Sequence, residues 1–137
     1  MRKKHPRIGT KLSAAQFFAA DHVIYTPTAG SHARFEIELD TLSAKMGHTR
    51  KIALQLAHSS GIDQIIASSD LIACVPSRVA SVMIGRDGVR ALPLPFDTTP
   101  QGISQFWHER CHRDEGHQWL RSLIFEMFHD SRESAIK

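Results

Sequence analysis

Five apolar residues in a row, Leu71-Ile72-Ala73-Cys74-Val75, stand between Asp70 and Pro76. A strand with one wet face alternates apolar and polar side chains. An uninterrupted apolar strand needs cover on both faces, which is the condition of a parallel sheet flanked by helices. The run therefore predicts a central strand, and with it an α/β fold.

The flanking sequence supplies the alternation such a fold requires. Leu12–Ala20 reads as a short helix with Ser13 as its N-cap, and His22–Thr26 as a strand stopped by Pro27. Thr28–His32 reads as a loop. Phe35, Leu39, Leu42 and Met46 then fall on one helical face, with Gly47 just past the end. Glu36, Glu38 and Asp40 lie off that face, as on a solvated surface. Ile52, Leu54 and Leu56 alternate with Lys51, Ala53 and Gln55 as in a strand with one polar-leaning face. His58-Ser59-Ser60-Gly61 makes a turn into a short helix carrying Ile62, Ile65 and Ile66. Ser77 is expected to cap a helix with Val79, Ala80 and Met83 inward, ended near Gly85. Further strands are expected over 89–94 and 103–108, joined by a polar connector over 97–102. Asp114 is expected to cap a last helix in which Trp119, Leu120, Leu123, Ile124, Met127 and Phe128 form a core-facing stripe, and 130–137 reads as a frayed tail. Alternation of this kind implies a sheet with right-handed crossovers.

Composition narrows the setting. The chain has 137 residues, 42% of them hydrophobic and 23% charged, which suits one soluble unit with a core. Lys and Arg exceed Asp and Glu by 17 − 14 = 3, and part of the excess sits in the first eleven residues, read as a solvated basic end. Two cysteines, one of them inside the apolar run, do not make a disulfide framework and fit a reducing cytoplasm. A signal-peptide apolar run and a membrane-length segment are both missing from the sequence, so a cytoplasmic protein without membrane contact is expected.

Most catalytic and metal chemistries find no pattern here. His108, Cys111, His112 and His117 lack the two well-spaced ligand pairs of a structural zinc site and read as a polar turn. Cys74 has apolar neighbours and reads as a buried, inert thiol. Gly85-Arg86-Asp87-Gly88 is a turn rather than a phosphate-binding loop. His58 beside Ser59 and Ser60 gives the rival reading of a small α/β enzyme, but no nucleophile elbow accompanies them. No catalytic residue, metal or cofactor is assigned. The expectation is instead a binding cleft at the carboxyl edge of the sheet, where ligands of open α/β folds sit. Thr26 and Thr28 follow one strand, and His58, Ser59 and Ser60 follow another. Ordinary helix capping by Ser59 or Ser60 explains the same residue types.

From Ile66 onward the order of motifs is specific. Ser69-Asp70-Leu71-Ile72-Ala73-Cys74-Val75-Pro76-Ser77-Arg78-Val79-Ala80, then Leu92-Pro93-Leu94-Pro95-Phe96, then Trp107-His108-Glu109-Arg110 with Asp114 and Trp119-Leu120-Arg121, resembles the C-terminal half of LysR-type transcriptional regulators. His5-Pro6 and Gly47-His48-Thr49-Arg50-Lys51-Ile52-Ala53-Leu54 are similar to earlier passages of the same family, so the resemblance spans nearly the whole chain.

That resemblance implies a type 2 periplasmic-binding-protein-like effector domain, built of two α/β lobes around a cleft. Residues 1–96 would form a nearly complete second lobe. Residues 97–137 would be the return crossover with a strand–helix remnant of the first lobe. The implied partner is a small-molecule effector, an organic anion or aromatic. DNA contact is expected only through a helix-turn-helix domain that this chain lacks. The wide apolar stripe of the last helix calls for cover, so a homo-oligomer is expected, and association with intact regulators is the alternative.

Overall fold

The structure, a computed structural model, describes residues 1–26, 31–85, 88–100 and 104–128, with the side chains of 31–33 left aside. The chain divides into two compact units, Met1–Gln101 and Gly102–Lys137.

In the first unit the order is α1 (Ala14–Ala19), β1 (Asp21–Tyr25), α2 (Ser31–Lys45), β2 (Lys51–Leu56), α3 (Ile62–Ser68) and α4 (Ser77–Ile84). Strands β1 and β2 pair in parallel, Asp21 opposite Lys51 and Tyr25 opposite Leu56, with one register irregularity after His22. The 71–75 run lies along the other edge of β1. Val23 donates its N–H to the Ile72 carbonyl at 2.9 Å, and Ile72 donates to that of Asp21 at 3.0 Å. This is a single parallel bridge rather than the full strand expected. The reasoning behind the expectation nonetheless holds. Ile72 and Cys74 enter one apolar cluster, with Phe17, Phe18, Ala20, Phe35 and Leu39. Leu71, Ala73 and Val75 pack on the other, around Val23, Ile62, Ile66, Met83 and Val89. An apolar run with no polar face is what two-sided burial demands.

Local capping follows the sequence in part. Ser13 and Gln16 form a reciprocal capping box on α1. After α2, Gly47 takes φ +74°, and His48 and Gly47 donate to the carbonyls of Ser43 and Ala44, a Schellman close that a side chain at Gly47 would strain. Ser77 does not cap α4. Pro76 occupies the N-cap with ψ 147°, so Ser77 is already helical. Helix α2 begins at Ser31, inside the segment expected to be loop.

Three further expectations are overturned. The N-terminal residues are not a solvated tail. Lys3 and Arg90 donate to the carbonyls of Gly88 and Met1, Ile8 and His5 are buried, and Arg2 pairs with Asp70. His5 donates from Nε2 to the Asp70 carbonyl and accepts the Arg7 N–H on Nδ1, so both ring nitrogens are used. The strand expected over 89–94 reduces to a bridge between Val89 and Arg2, because Pro93 and Pro95 supply no N–H to a ladder. Glu36 is not on a solvated face. Its side chain is 6% exposed and lies 2.8 Å from Arg50, itself 1% exposed. Asp40 approaches the same guanidinium at 2.7 Å from a 65% exposed position. Arg50 thus ties α2 to the entry of β2.

The second unit contains a 3₁₀ turn, Glu109–Cys111, and α5, Glu115–Phe128. Asp114 caps α5 as expected, accepting the His117 N–H at 2.8 Å. Residues 104–108 form no strand, and Ile103 lies outside the described residues, as does the 130–137 segment. Arg121 holds the unit together. Its guanidinium donates to the carbonyls of Cys111 and His112 and lies 4.5 Å above the Trp107 ring. The apolar stripe of α5 is not core. None of its residues is buried, and Trp119 and Met127 are 66% and 62% exposed.

Two outcomes follow from the buried titratable groups. Removing one partner of a buried ion pair strands the other. Glu36→Ala is expected to cost about 3–5 kcal/mol in urea denaturation, and Asp40→Ala about 0–1 kcal/mol because it removes only a largely solvated partner. Equal losses would contradict the assignment. His22 is buried, donates from Nε2 to the Phe17 carbonyl at 2.9 Å, and has its pKa lowered from 6.5 chiefly by burial. The unfolded chain therefore takes up a proton that the folded one refuses. This contribution is full above pH 6.5 and is lost as pH falls toward the lower folded value. His22→Gln should flatten the fall in denaturation free energy between roughly pH 7 and 5. An unchanged slope would place the titration elsewhere.

Candidate functional site

The parallel pairing of β1 and β2 brings the ends of both strands to one edge. Thr26 continues the ladder past β1, donating its N–H to the Leu56 carbonyl at 3.0 Å. Gln55 donates from Nε2 to the Thr26 hydroxyl oxygen at 2.7 Å. Beyond Leu56 the chain turns through His58, Ser59 and Ser60, all exposed. Their side chains make no hydrogen bond to another described residue. Thr28 lies outside the described residues. Of the five residues expected at the site, four are therefore placed on two neighbouring segments leaving the same sheet edge.

The capping explanation of the serines fails. Gly61 occupies the N-cap of α3 in the left-handed region, at φ 79°, and no side chain caps the helix. The link to the turn is instead the Ile62 N–H, donated to the Ser59 carbonyl at 3.3 Å. The serine hydroxyls are left facing solvent. Asp63, buried in the first turn of α3, was not singled out by the sequence. Its carboxylate suits the positive end of the helix. Gln55 was also missed, because on a half-exposed strand a glutamine reads only as surface. Its one distinguishing mark is its place beside the strand end.

The cysteine and histidines weighed for other chemistries are engaged as follows. Cys74 is buried, and burial pushes its thiol up to about 12, which keeps it protonated at neutral pH. In the second unit the His108 ring accepts the Arg110 N–H, and His112 Nδ1 accepts the indole N–H of Trp107 at 3.2 Å. Among the described residues no three His, Cys, Asp or Glu side chains gather as a metal site would require. No helix of the described residues is long and apolar enough to cross a membrane.

Comparison with known proteins gives the family and the fold. The LysR substrate binding domain model matches residues 1–128. The HTH-type transcriptional activator NahR of Pseudomonas putida is 33% identical over 94% of this chain and 42% of its own length. The activator NagR of a Ralstonia species is 34% identical over 95% of this chain and 42% of its own length. The chain thus spans under half the length of these relatives. Among solved structures, the regulatory domain of MexT, a transcriptional activator in Pseudomonas aeruginosa, superposes with a TM-score of 0.70 at 27% identity, over 88% of this chain and 58% of that one. A putative transcriptional regulator from Vibrio parahaemolyticus shares the fold at a TM-score of 0.72 and 24% identity, over 92% of this chain and 57% of that one. The architecture is the α/β, periplasmic-binding-protein-like one expected, and the family is one of regulator binding domains rather than enzymes. With the match running from residue 1 to residue 128, the chain belongs to the LysR substrate-binding domain family.

Proposed function

We propose that this chain is the effector-binding part of a LysR-type transcriptional regulator and takes a small organic anion or aromatic at the carboxyl edge of β1 and β2. The observation that carries this reading is the exposed turn His58-Ser59-Ser60, whose side chains have no hydrogen bond to another described residue and which leaves β2 beside Thr26. The serine hydroxyls would bind a carboxylate or hydroxyl, His58 would donate or stack, and Thr26 with Thr28 would line the opposing loop. Residues 1–96 would be the second lobe of the effector domain, and 97–137 the return crossover with a strand–helix part of the first. The division of the chain into units at Gln101 and Gly102 supports that assignment. Effector binding would shift the balance between lobe arrangements and so modulate transcription. DNA contact would belong to the helix-turn-helix for which the relatives are named. Two free thiols suit a cytoplasmic setting.

A thermal-shift screen of small organic acids tests this directly. A ligand bound only by the folded state at a hundredfold its Kd adds about 2.7 kcal/mol, which moves the midpoint by several degrees. Ser59→Ala with Ser60→Ala should weaken the same ligand without lowering the unliganded midpoint. No shift with any acid, or full binding by the double variant, would sink the reading.

The exposed stripe of α5 supports a homo-oligomer that covers Trp119, Leu120 and Leu123. Sedimentation should show a dimer that Leu123→Asp converts to monomer. A monodisperse monomer at high concentration would overturn it.

A further inference from the structure

We propose that Gln55 sets the polarity of the effector site: by holding a lone pair of the Thr26 hydroxyl, it turns that hydroxyl into a donor and selects ligands that present an acceptor. The inference rests on the reading that this sheet edge takes the effector, and it adds what kind of group the edge prefers.

The geometry is set by the ladder. Gln55 lies opposite Ile24 in the parallel register, and Thr26, two residues on from Ile24, points to the same face. The Thr26 N–H is committed to the Leu56 carbonyl, which fixes the backbone from which its hydroxyl projects. At 2.7 Å the Gln55 amide nitrogen donates to that hydroxyl oxygen. A threonine hydroxyl has one proton and two lone pairs. With one lone pair taken by an amide donor, its proton has no reason to point at Gln55 and is free for a ligand. Gln55 keeps a second N–H and its carbonyl oxygen. Gln55 is exposed and Thr26 half-buried, so both can be reached. The pair therefore offers two donors, the Thr26 O–H and the second Gln55 N–H, beside two acceptors, the amide oxygen and the remaining Thr26 lone pair. Accepting the Gln55 N–H strengthens the Thr26 hydroxyl as a donor and weakens its remaining lone pair, so the pair suits the oxygens of a carboxylate better than an ammonium group, which brings donors only.

A glutamate at this position reverses the arrangement. A carboxylate cannot donate, so the Thr26 hydroxyl must give its proton to Glu, and its lone pairs face the ligand. The substitution also places a negative charge beside the site, an effect that does not need Thr26. A double-mutant cycle separates the two.

The probes are benzoate and benzylamine, with one ring and opposite head groups, titrated at millimolar concentration into the full chain. Binding is followed by calorimetry and by the side-chain amide signal of Gln55 in nitrogen-correlated NMR. Wild-type protein should bind benzoate in preference to benzylamine, with the Gln55 amide signal moving. Gln55→Glu should lose benzoate at least tenfold and gain benzylamine, with an unchanged melting midpoint. In a Thr26→Val background the loss caused by Gln55→Glu should shrink severalfold. A loss of equal size in that background would mean that Gln55 acts by its own charge or contact, and would overturn the relay. Benzoate binding that Gln55→Glu leaves intact would overturn this proposal while leaving the effector edge standing. Binding of neither probe by wild type would overturn the preference and count against the edge itself.

Discussion

β1 separates two apolar clusters, and the rest of the first unit is arranged to keep both of them dry. Its residues alternate between the two, His22 against Phe17 on one side and Val23 with Tyr25 on the other. Among the described residues the regular sheet has two strands, and the Ile72 bridge lies along the second edge of β1. Helices α1 and α2 cover the Phe17 cluster and α3 and α4 the Ile66 cluster. Without cover on both faces the 71–75 run would expose apolar surface at roughly 25 cal/mol per Å². The N-terminal residues close the remaining gap through Ile8, His5 and the Arg2–Asp70 pair.

The buried ion pair Arg50–Glu36 lies where two elements meet. Arg50 sits where the chain leaves α2 and enters β2, and a guanidinium held by Glu36 and Asp40 has few alternative geometries. It stands at the entry of the strand that carries Gln55 and Leu56 to the sheet edge. The three acids of α2 consequently do different work. Glu36 is buried against Arg50, Asp40 shares that cation from the surface, and Glu38 accepts the Thr99 N–H at 2.6 Å, holding the segment that leads out of the first unit. Accepting that N–H lowers the Glu38 pKa, so the tie is made by a carboxylate at neutral pH.

Much of this was legible in the residues. The run from Leu71 to Val75 required two covered faces, and the structure supplies them. Ser13, Gly47 and Asp114 announced helix ends by chemistry that acts within a few residues. Thr26, His58, Ser59 and Ser60 were legible as the ends of strands. What was not legible depended on distant partners. Glu36 looked solvated because its spacing places it off the apolar stripe, whereas Arg50, fourteen residues away, gives its carboxylate a buried partner. Gln55 looked like surface until β1 came alongside. The α5 stripe looked like core because periodicity reports an apolar face but not whether anything lies against it.

Local chemistry was enough to give the first helices and the two paired strands, the two-sided burial of the central run, the ends marked by Ser13, Gly47 and Asp114 and, through the order of the motifs, the family. These rest on short-range sterics and on hydrophobic period, both of which are written locally. Tertiary contact settled which strands pair among the described residues, that Ile8 and His5 of the basic N-terminal segment are buried, that Arg50 is buried, and that Gln55 meets Thr26. Each of these is a contact between residues far apart in the chain, and its free energy exists only once the backbone has brought the two together.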